Sequence, residues 1–345
     1  MVAAFSAFRA MSLAAPVTAL LDRFQASRPV RAWSLIVTLY GDAIVPRGGS
    51  LWLGSLTQIM TLFRIDPGHV RTAMSRLTSD GWLERERVGR NSYYRLSSRE
   101  AGSFAAAARR IYFPEAPPFD GELRLALVGP AVDRRSAVRP LLERAGFVVV
   151  SPTSYVAIQD ACPEVAALDG VFMLRVEASG TARCLAGAAW KLQPVADEYR
   201  AFIDLFTPLD DFIGSTANAR PLNEADALVV RTLLIHQFRR VVLRDPDLPR
   251  ALLPSDWPGH RARALAARIH HQVTAQAEIF LSAYGQNENG PLPRRTDEPL
   301  RRTGVEGQAF DRRGHRGALP LLPNSRSARF RGSQFRAADS KGFES

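Results

Sequence analysis

DPGHVRTAMSRLTSDGWLERERVGRNSYYRL, residues 66–96, holds the information that decides the fold. Asp66 followed by Pro67 is an N-cap with proline at the first helical position, where the missing N–H has no intrahelical partner to lose. The spacing predicts a helix from there to Gly81. At about 100° per residue, Val70, Ala73, Met74 and Leu77 share one face. Thr72, Ser75 and Ser79 lie opposite, flanked by Arg71 and Arg76. Small hydroxyls edged by two arginines can enter a groove of DNA and meet base edges and phosphates without obstruction. Two alternating segments, Leu83–Val88 and Ser92–Leu96, then flank Gly89-Arg90-Asn91. That pattern predicts a hairpin with a basic tip, and it adds Arg87, Arg90 and Asn91 to the candidate DNA-binding set.

Working outward toward the N-terminus, RAWSLIVTLYGDAI places Trp33, Ile36, Val37 and Tyr40 at helical spacing, with Gly41 and Pro46 closing the pattern. Gly48-Gly49 precede a short apolar piece, Leu51–Leu53, and SLTQIMTLF follows with a stripe of Leu56, Ile59, Met60 and Phe63. Ser55 reads as the N-cap of that helix. Helix, helix, short turn, helix and two-stranded wing is the order of a winged helix-turn-helix, whose turn-linked second helix reads the major groove. The segment Met1–Leu21 is apolar with one arginine, but Arg9 lies too late and Pro16 interrupts it, which argues against a secretion signal. Met11 is a plausible translation start, and residues 1–27 are left without an assignment.

Toward the C-terminus, Ser98–Tyr112 is a further amphipathic stretch that completes a DNA-binding domain over residues 28–113. PEAPPFDG reads as a linker, because Pro114, Pro117 and Pro118 exclude regular hydrogen-bonded structure. Strands at GELRLALVGP, FVVVSPTSYVAI and VFMLRVEA alternate with a helix at DRRSAVRPLLERAG and a long helical stretch from Ala182 to Phe206. Over residues 119–210 this interleaving suggests an α+β sandwich of ferredoxin-like type. Residues 221–285 are nearly all helical, with Val230, Leu233, Leu234, Phe238 and Val241 on one stripe. From Gln286 onward no apolar period remains. Residues 286–345 are expected to form a disordered basic tail that could be removed at Gly285 without loss of fold. The fold class expected for the whole is therefore α+β and multidomain.

A chain of 345 residues with 46% hydrophobic residues excludes wholesale disorder, and no apolar run reaches the ~18 residues of a membrane helix. The formal charge of +11 fits an anionic partner, and arginine supplies all but two of the 45 basic residues. Cys162 and Cys184 lack any CxxC spacing or histidine cluster, so ordinary reduced core thiols in a cytoplasmic protein are expected, with no metal and no cofactor. An enzyme would need a site, and the chain has no G-x-S-x-G, P-loop, dinucleotide fingerprint or H-E-x-x-H. His270 and His271 are adjacent on a helix and point about 100° apart, a poor geometry for joint ligation. His236, on a mostly apolar helix, reads as a buried core histidine and not a base.

Leu-Tyr-Gly-Asp at 39–42, Val-Arg-Thr-Ala at 70–73, Asp-Gly-Trp-Leu at 80–83, Leu-Arg-Asp-Pro at 243–246 and Asp-Trp-Pro-Gly at 256–259 together resemble the PaaX family of phenylacetate-degradation repressors. The similarity spans Arg28 to Tyr284, and neither Met1–Gln25 nor Gln286–Ser345 matches the pattern. The resemblance implies a winged helix, a central domain like the CRISPR-associated Cas2 fold, and a C-terminal helical domain. It further implies a homodimer that binds double-stranded operator DNA and is released by an aryl-CoA thioester such as phenylacetyl-CoA. Cas2-like nucleases carry an aspartate at the end of their first strand, whereas this strand reads Leu123-Arg124-Leu125-Ala126-Leu127-Val128 and offers a hard cation no oxygen ligand. A regulator sensing a different acyl-CoA or a free aromatic acid is the alternative, and activation in place of repression stays open. For CoA phosphates, Arg239, Arg240 and Arg244 beside the proline-rich connection are the candidate cations. The competing expectation is that these arginines form surface ion pairs with Asp245 and Asp247.

Overall fold

The computed structural model describes residues 14–26, 32–113, 118–129, 135–160, 163–215 and 222–296. It begins with α1 (Ala15–Ala26), which buries Val17, Leu20, Leu21 and Phe24. The N-terminal extension therefore contributes a core helix that the sequence reading left unassigned. Next come α2 (Ala32–Leu39), a wide turn over Tyr40–Ile44, β1 (Ser50–Trp52), α3 (Leu53–Thr61), α4 (Pro67–Ser79), β2 (Leu83–Val88), β3 (Asn91–Leu96) and α5 (Ala101–Tyr112). Asp66 Oδ1 accepts from the backbone N–H of Gly68 and His69, the expected cap of α4. Val70, Ala73, Met74 and Leu77 are buried, as their spacing requires. Ser55 departs from expectation. Trp52 is the N-cap residue of α3, and the buried Ser55 hydroxyl instead donates to the Tyr284 carbonyl at 2.9 Å. The first sheet has the order β1-β3-β2, antiparallel throughout. Gly89 sits at φ 60°, the value that the first position of a type II′ hairpin turn requires.

A second sheet follows, built from β4 (Glu122–Val128), α6 (Arg135–Arg144), β5 (Val148–Ser151), β6 (Ser154–Ala157), the short α7 (Pro163–Ala166) and β7 (Val171–Glu177). Its order is β5-β6-β4-β7, with every pairing antiparallel. Alternation on the strands divides the burial. Leu123 and Val156 face the main core, whereas Ala126, Val128, Tyr155 and Ala157 pack with Val138 and Leu142 of α6 in a smaller one. The stretch read as one helix from Ala182 is two, α8 (Gly180–Ala189) and α9 (Leu192–Gly214). Lys191 separates them at φ 50°, a left-handed conformation that no helix propagates.

α10 (Glu224–Val242) and α11 (Gly259–Tyr284) complete the helical body. α10 packs on α1, α2, α5, α9 and α11, and 16 of its 19 residues are buried. That explains why its apolar residues are not confined to one stripe, and why the buried Asp226, Arg231, Thr232, His236 and Arg239 need partners. The α2–β3 part and the C-terminal helices consequently share one hydrophobic core. This continuous packing does not suit an adjustable pose of the two parts about the proline-rich linker. Residues 114–117 of the linker lie outside the described ones.

Residues 286–296, expected to belong to the basic tail, are packed on the body. β8 (Gln286–Asn287) and β9 (Gly290–Pro291) form a hairpin, Leu292 is 5% exposed, and the Thr296 N–H donates to the Pro46 carbonyl at 2.8 Å. Residues 297–345 lie outside the described ones. Cys184 is exposed, so the expectation of a core thiol fails there, and Cys162 is outside the described residues. Among the described residues no helix is long and apolar enough to cross a membrane.

Candidate nucleic-acid interface

α4 is held by its apolar face against α2 and α3, which leaves the opposite face in solvent. Arg71, Thr72, Ser75 and Arg76 are all exposed there. Arg87, Arg90 and Asn91 are exposed on the neighbouring hairpin, and Val88 at its end is 46% exposed. These side chains are not equally available. The Thr72 hydroxyl donates to the Gly68 carbonyl at 3.1 Å, within its own helix. Arg76 Nε lies 3.5 Å from Asp80 Oδ2, and its guanidinium carbon is 5.6 Å from the Trp33 ring centroid. Arg87 Nε donates to the Gly89 carbonyl at 3.3 Å, tying it to the turn. An exposed pair like Arg76–Asp80 is worth about 0–1 kcal/mol, so an incoming guanine or phosphate can break it at small cost.

Beneath this surface is a buried ionic network that the sequence reading missed. Asp42, the aspartate of the Leu-Tyr-Gly-Asp run, is 2% exposed and Arg231 of α10 is fully buried. Arg231 donates from Nε to Asp42 Oδ2 at 2.7 Å and from Nη2 to the Asp42 carbonyl at 2.8 Å. Its Nη1 reaches Glu278 of α11, which also accepts from Arg47. The Tyr112 hydroxyl donates to Asp42 Oδ1 at 2.6 Å, and His270 Nε2 lies 3.1 Å from the same oxygen. Burial raises the Asp42 pKa, but Arg231 and His270 beside it outweigh that and hold the carboxyl well below the ordinary range. For Glu278 the balance is the same: burial raises, Arg231 and Arg47 lower, and the net direction is down. Tyr40 of the same run is buried, with its hydroxyl on the Tyr94 carbonyl of β3 at 3.1 Å. The signal in the sequence was Arg231 within the largely apolar run 228–235, where a buried charge needs a partner.

The three arginines expected to hold CoA phosphates do not form one cluster. Arg239 is 7% exposed, and its Nη2 donates to the Ser34 carbonyl at 2.9 Å and to Ser34 Oγ at 2.8 Å. Arg240 donates to Gln237 Oε1, while Arg244 pairs with Glu198. The competing expectation does not hold for Arg244, whose ion pair is with Glu198, while Asp245 accepts from the Tyr199 hydroxyl at 2.8 Å. Burial, then the neighbouring charge of Arg240, lowers the Arg239 pKa to about 10. His236 is the core histidine expected, 5% exposed with Nδ1 3.1 Å from Thr38 Oγ1. Burial holds it neutral, with its pKa well below the usual value.

On the second sheet, Arg124 stands among Asp120, Glu122 and Asp160. Its hydrogen bonds lower the pKa of Asp120 and Asp160, so a protein cation answers the charge of these carboxylates. Among the described residues no group of three or more His, Cys, Asp or Glu is arranged to hold a metal ion.

Comparison with known proteins matches two family models, PaaX-like protein over residues 31–100 and PaaX-like protein C-terminal domain over residues 190–283. The transcriptional repressor PaaX of Escherichia coli (strain K12) is 35% identical over 279 residues, covering 77% of this chain and 87% of that one. Among solved structures, the uncharacterized protein Rv0674 from Mycobacterium tuberculosis is 24% identical, covering 65% of this chain and 90% of that chain at a TM-score of 0.39. The enzyme reading falls with these matches, because the relative is a regulator. Identity at this level over most of both chains, with separate matches at the two ends of the folded body, shows that this chain belongs to the PaaX family.

Proposed function

We propose that the chain is a transcriptional repressor of an aromatic, phenylacetate-type catabolic operon, acting as a cytoplasmic homodimer on double-stranded operator DNA and released by an aryl-CoA thioester. The observation that carries the DNA-binding reading is the exposed α4 face of Arg71, Thr72, Ser75 and Arg76 beside the Arg87–Asn91 hairpin. Three helices followed by an antiparallel hairpin support a winged helix, in which the reading helix enters the major groove and the wing touches backbone or minor groove. In the second sheet the sequence β-α-β-β-α-β with the order β5-β6-β4-β7 supports the ferredoxin-like reading of the central domain. One reading helix covers one half-site, so a twofold dimer on a two-part operator is the economical arrangement. The name of the Escherichia coli relative supports repression over activation.

A footprint of the full chain on DNA upstream of such an operon, with and without phenylacetyl-CoA, tests this. Two protected half-sites about one helical turn or a multiple apart are expected, and protection should fade as the thioester is added. Operator DNA should weaken thioester binding by the same factor. Protection that persists at saturating phenylacetyl-CoA would exclude this effector, and no protection at all would exclude the operator reading.

A further inference from the structure

Two adjoining cavities, the second more polar than the first, lie between the DNA-reading half and the C-terminal helices. The first, about 390 Å³, is walled mainly by apolar side chains, among them Val37, Phe104, Ala108 and Leu243. Arg239 also lines it, and the Nε of this buried guanidinium has no hydrogen-bond partner among the described residues. A buried donor without a partner costs about 1–3 kcal/mol, and a ligand that brings an acceptor removes the cost. The second cavity, about 630 Å³, is bordered by Arg263, Arg295, His260, His270 and His271. Ile111, Tyr112 and Ile235 belong to the walls of both, so these three side chains form a common border of the two spaces. Asp42 is the single carboxylate on either wall among the described residues, and its charge is taken up by Arg231; behind the wall, Arg295 lies 3.5 Å from Glu278 Oε1, and Arg263 donates to the Arg110 carbonyl at 2.8 Å.

From this geometry we infer that the paired cavities form one effector site, taking an apolar acyl group in the first and the phosphates of its carrier in the second. The assignment rests on the proposed function and locates its ligand. Only a molecule with a compact apolar end, an acceptor near it and a polyanionic remainder matches both halves: the carbonyl of a thioester would meet Arg239 Nε, and phosphates would meet Arg263 and Arg295. A free aromatic acid fits the first half alone, its carboxylate taking the place of the carbonyl. The position also ties the site to DNA reading. Arg239 holds Ser34, the next residue, Trp33, lies against Arg76 of α4, and α2, which carries Trp33 and Ser34, packs on α4. A ligand that draws Arg239 toward its own acceptor acts on the support of the reading helix.

The test is isothermal calorimetry of the full chain with phenylacetyl-CoA, CoA and phenylacetate, repeated on Ala108→Leu and Ala267→Glu. Ala108→Leu fills the first cavity, and Ala267→Glu places a carboxylate in the second. For the wild type, phenylacetyl-CoA should bind at least tenfold more tightly than CoA or phenylacetate. Ala108→Leu should abolish its advantage over CoA, whereas Ala267→Glu should weaken both CoA compounds at least tenfold and leave phenylacetate unchanged. Melting curves establish that each variant is folded, and either one alone suffices for the comparison. Wild-type binding of phenylacetyl-CoA retained by both folded variants overturns the site. If the wild type binds phenylacetate as tightly as phenylacetyl-CoA, the second cavity has no part in recognition and the joint site is overturned. Absence of phenylacetyl-CoA binding by the wild type overturns the effector reading itself, and the site with it.

Discussion

Replacing Arg231 by alanine should lower the unfolding free energy by about 3–5 kcal/mol, because it leaves Asp42 and Glu278 without their shared counter-charge in a region that excludes water. The loss is read by urea denaturation at pH 7. It should far exceed that of Arg268→Ala, which breaks the exposed end of a surface pair with Asp210 and should cost about 0–1 kcal/mol. The pH dependence has a definite sign. The folded chain keeps Asp42 and Glu278 ionised below the ordinary carboxylate range, so as pH falls the unfolded chain takes up protons first. The stability these two groups contribute is complete above their unfolded pKa values and drains as pH falls toward the folded ones. In Arg231→Ala both carboxylates lose their main cation and this acid sensitivity should shrink. A loss below 1 kcal/mol at pH 7 would mean that the network does not join the two halves of the molecule.

Ending the chain at Gly285 should lower the melting temperature by several degrees, whereas ending it at Thr296 should not. The shorter chain forfeits burial of Leu292, worth about 1.5–3 kcal/mol for a leucine. It also removes the Leu292 carbonyl from the fully enclosed Arg47 and Glu288 from Ser50 and Arg95. A total near 3 kcal/mol corresponds to roughly 6–12 °C in a domain of 150–250 residues. Differential scanning calorimetry on the two truncations decides it, and equal melting temperatures would show that the β8–β9 hairpin contributes nothing.

The elements legible in the sequence were those with local signals. Asp66-Pro67 started α4 where expected, the period of Val70, Ala73, Met74 and Leu77 identified its buried face, and Gly89 marked the hairpin turn. What escaped was set by partners distant in the chain. Ser55 looks like a cap because serine so often is one, yet its partner is Tyr284, 229 positions away. Leu292 stands in a polar segment with no period, and only the space left beside Arg47 and Gly285 makes it a core residue. Arg239 was read as a surface cation because arginines beside a proline-rich loop are usually exposed. Its burial follows from α2 closing over α10, a packing that no local pattern announces. Of the candidate site, the residue types and the exposed α4 face were accessible from periodicity alone, while the Trp33 and Asp80 contacts of Arg76 required the fold.

The most direct test of the DNA-reading account is fluorescence anisotropy of Arg76→Ala on the operator and on random DNA of equal length, at one fixed salt concentration. Arg76 stands in the middle of the exposed α4 face, and on the proposed function it would reach base edges once it leaves Asp80. Its loss should therefore cost about 1–3 kcal/mol on the operator, with little change on random DNA. Arg90→Ala, at the hairpin turn, should weaken both alike, since a backbone contact carries no sequence information. Operator affinity equal to wild type in Arg76→Ala would contradict the assignment of α4 as the reading helix.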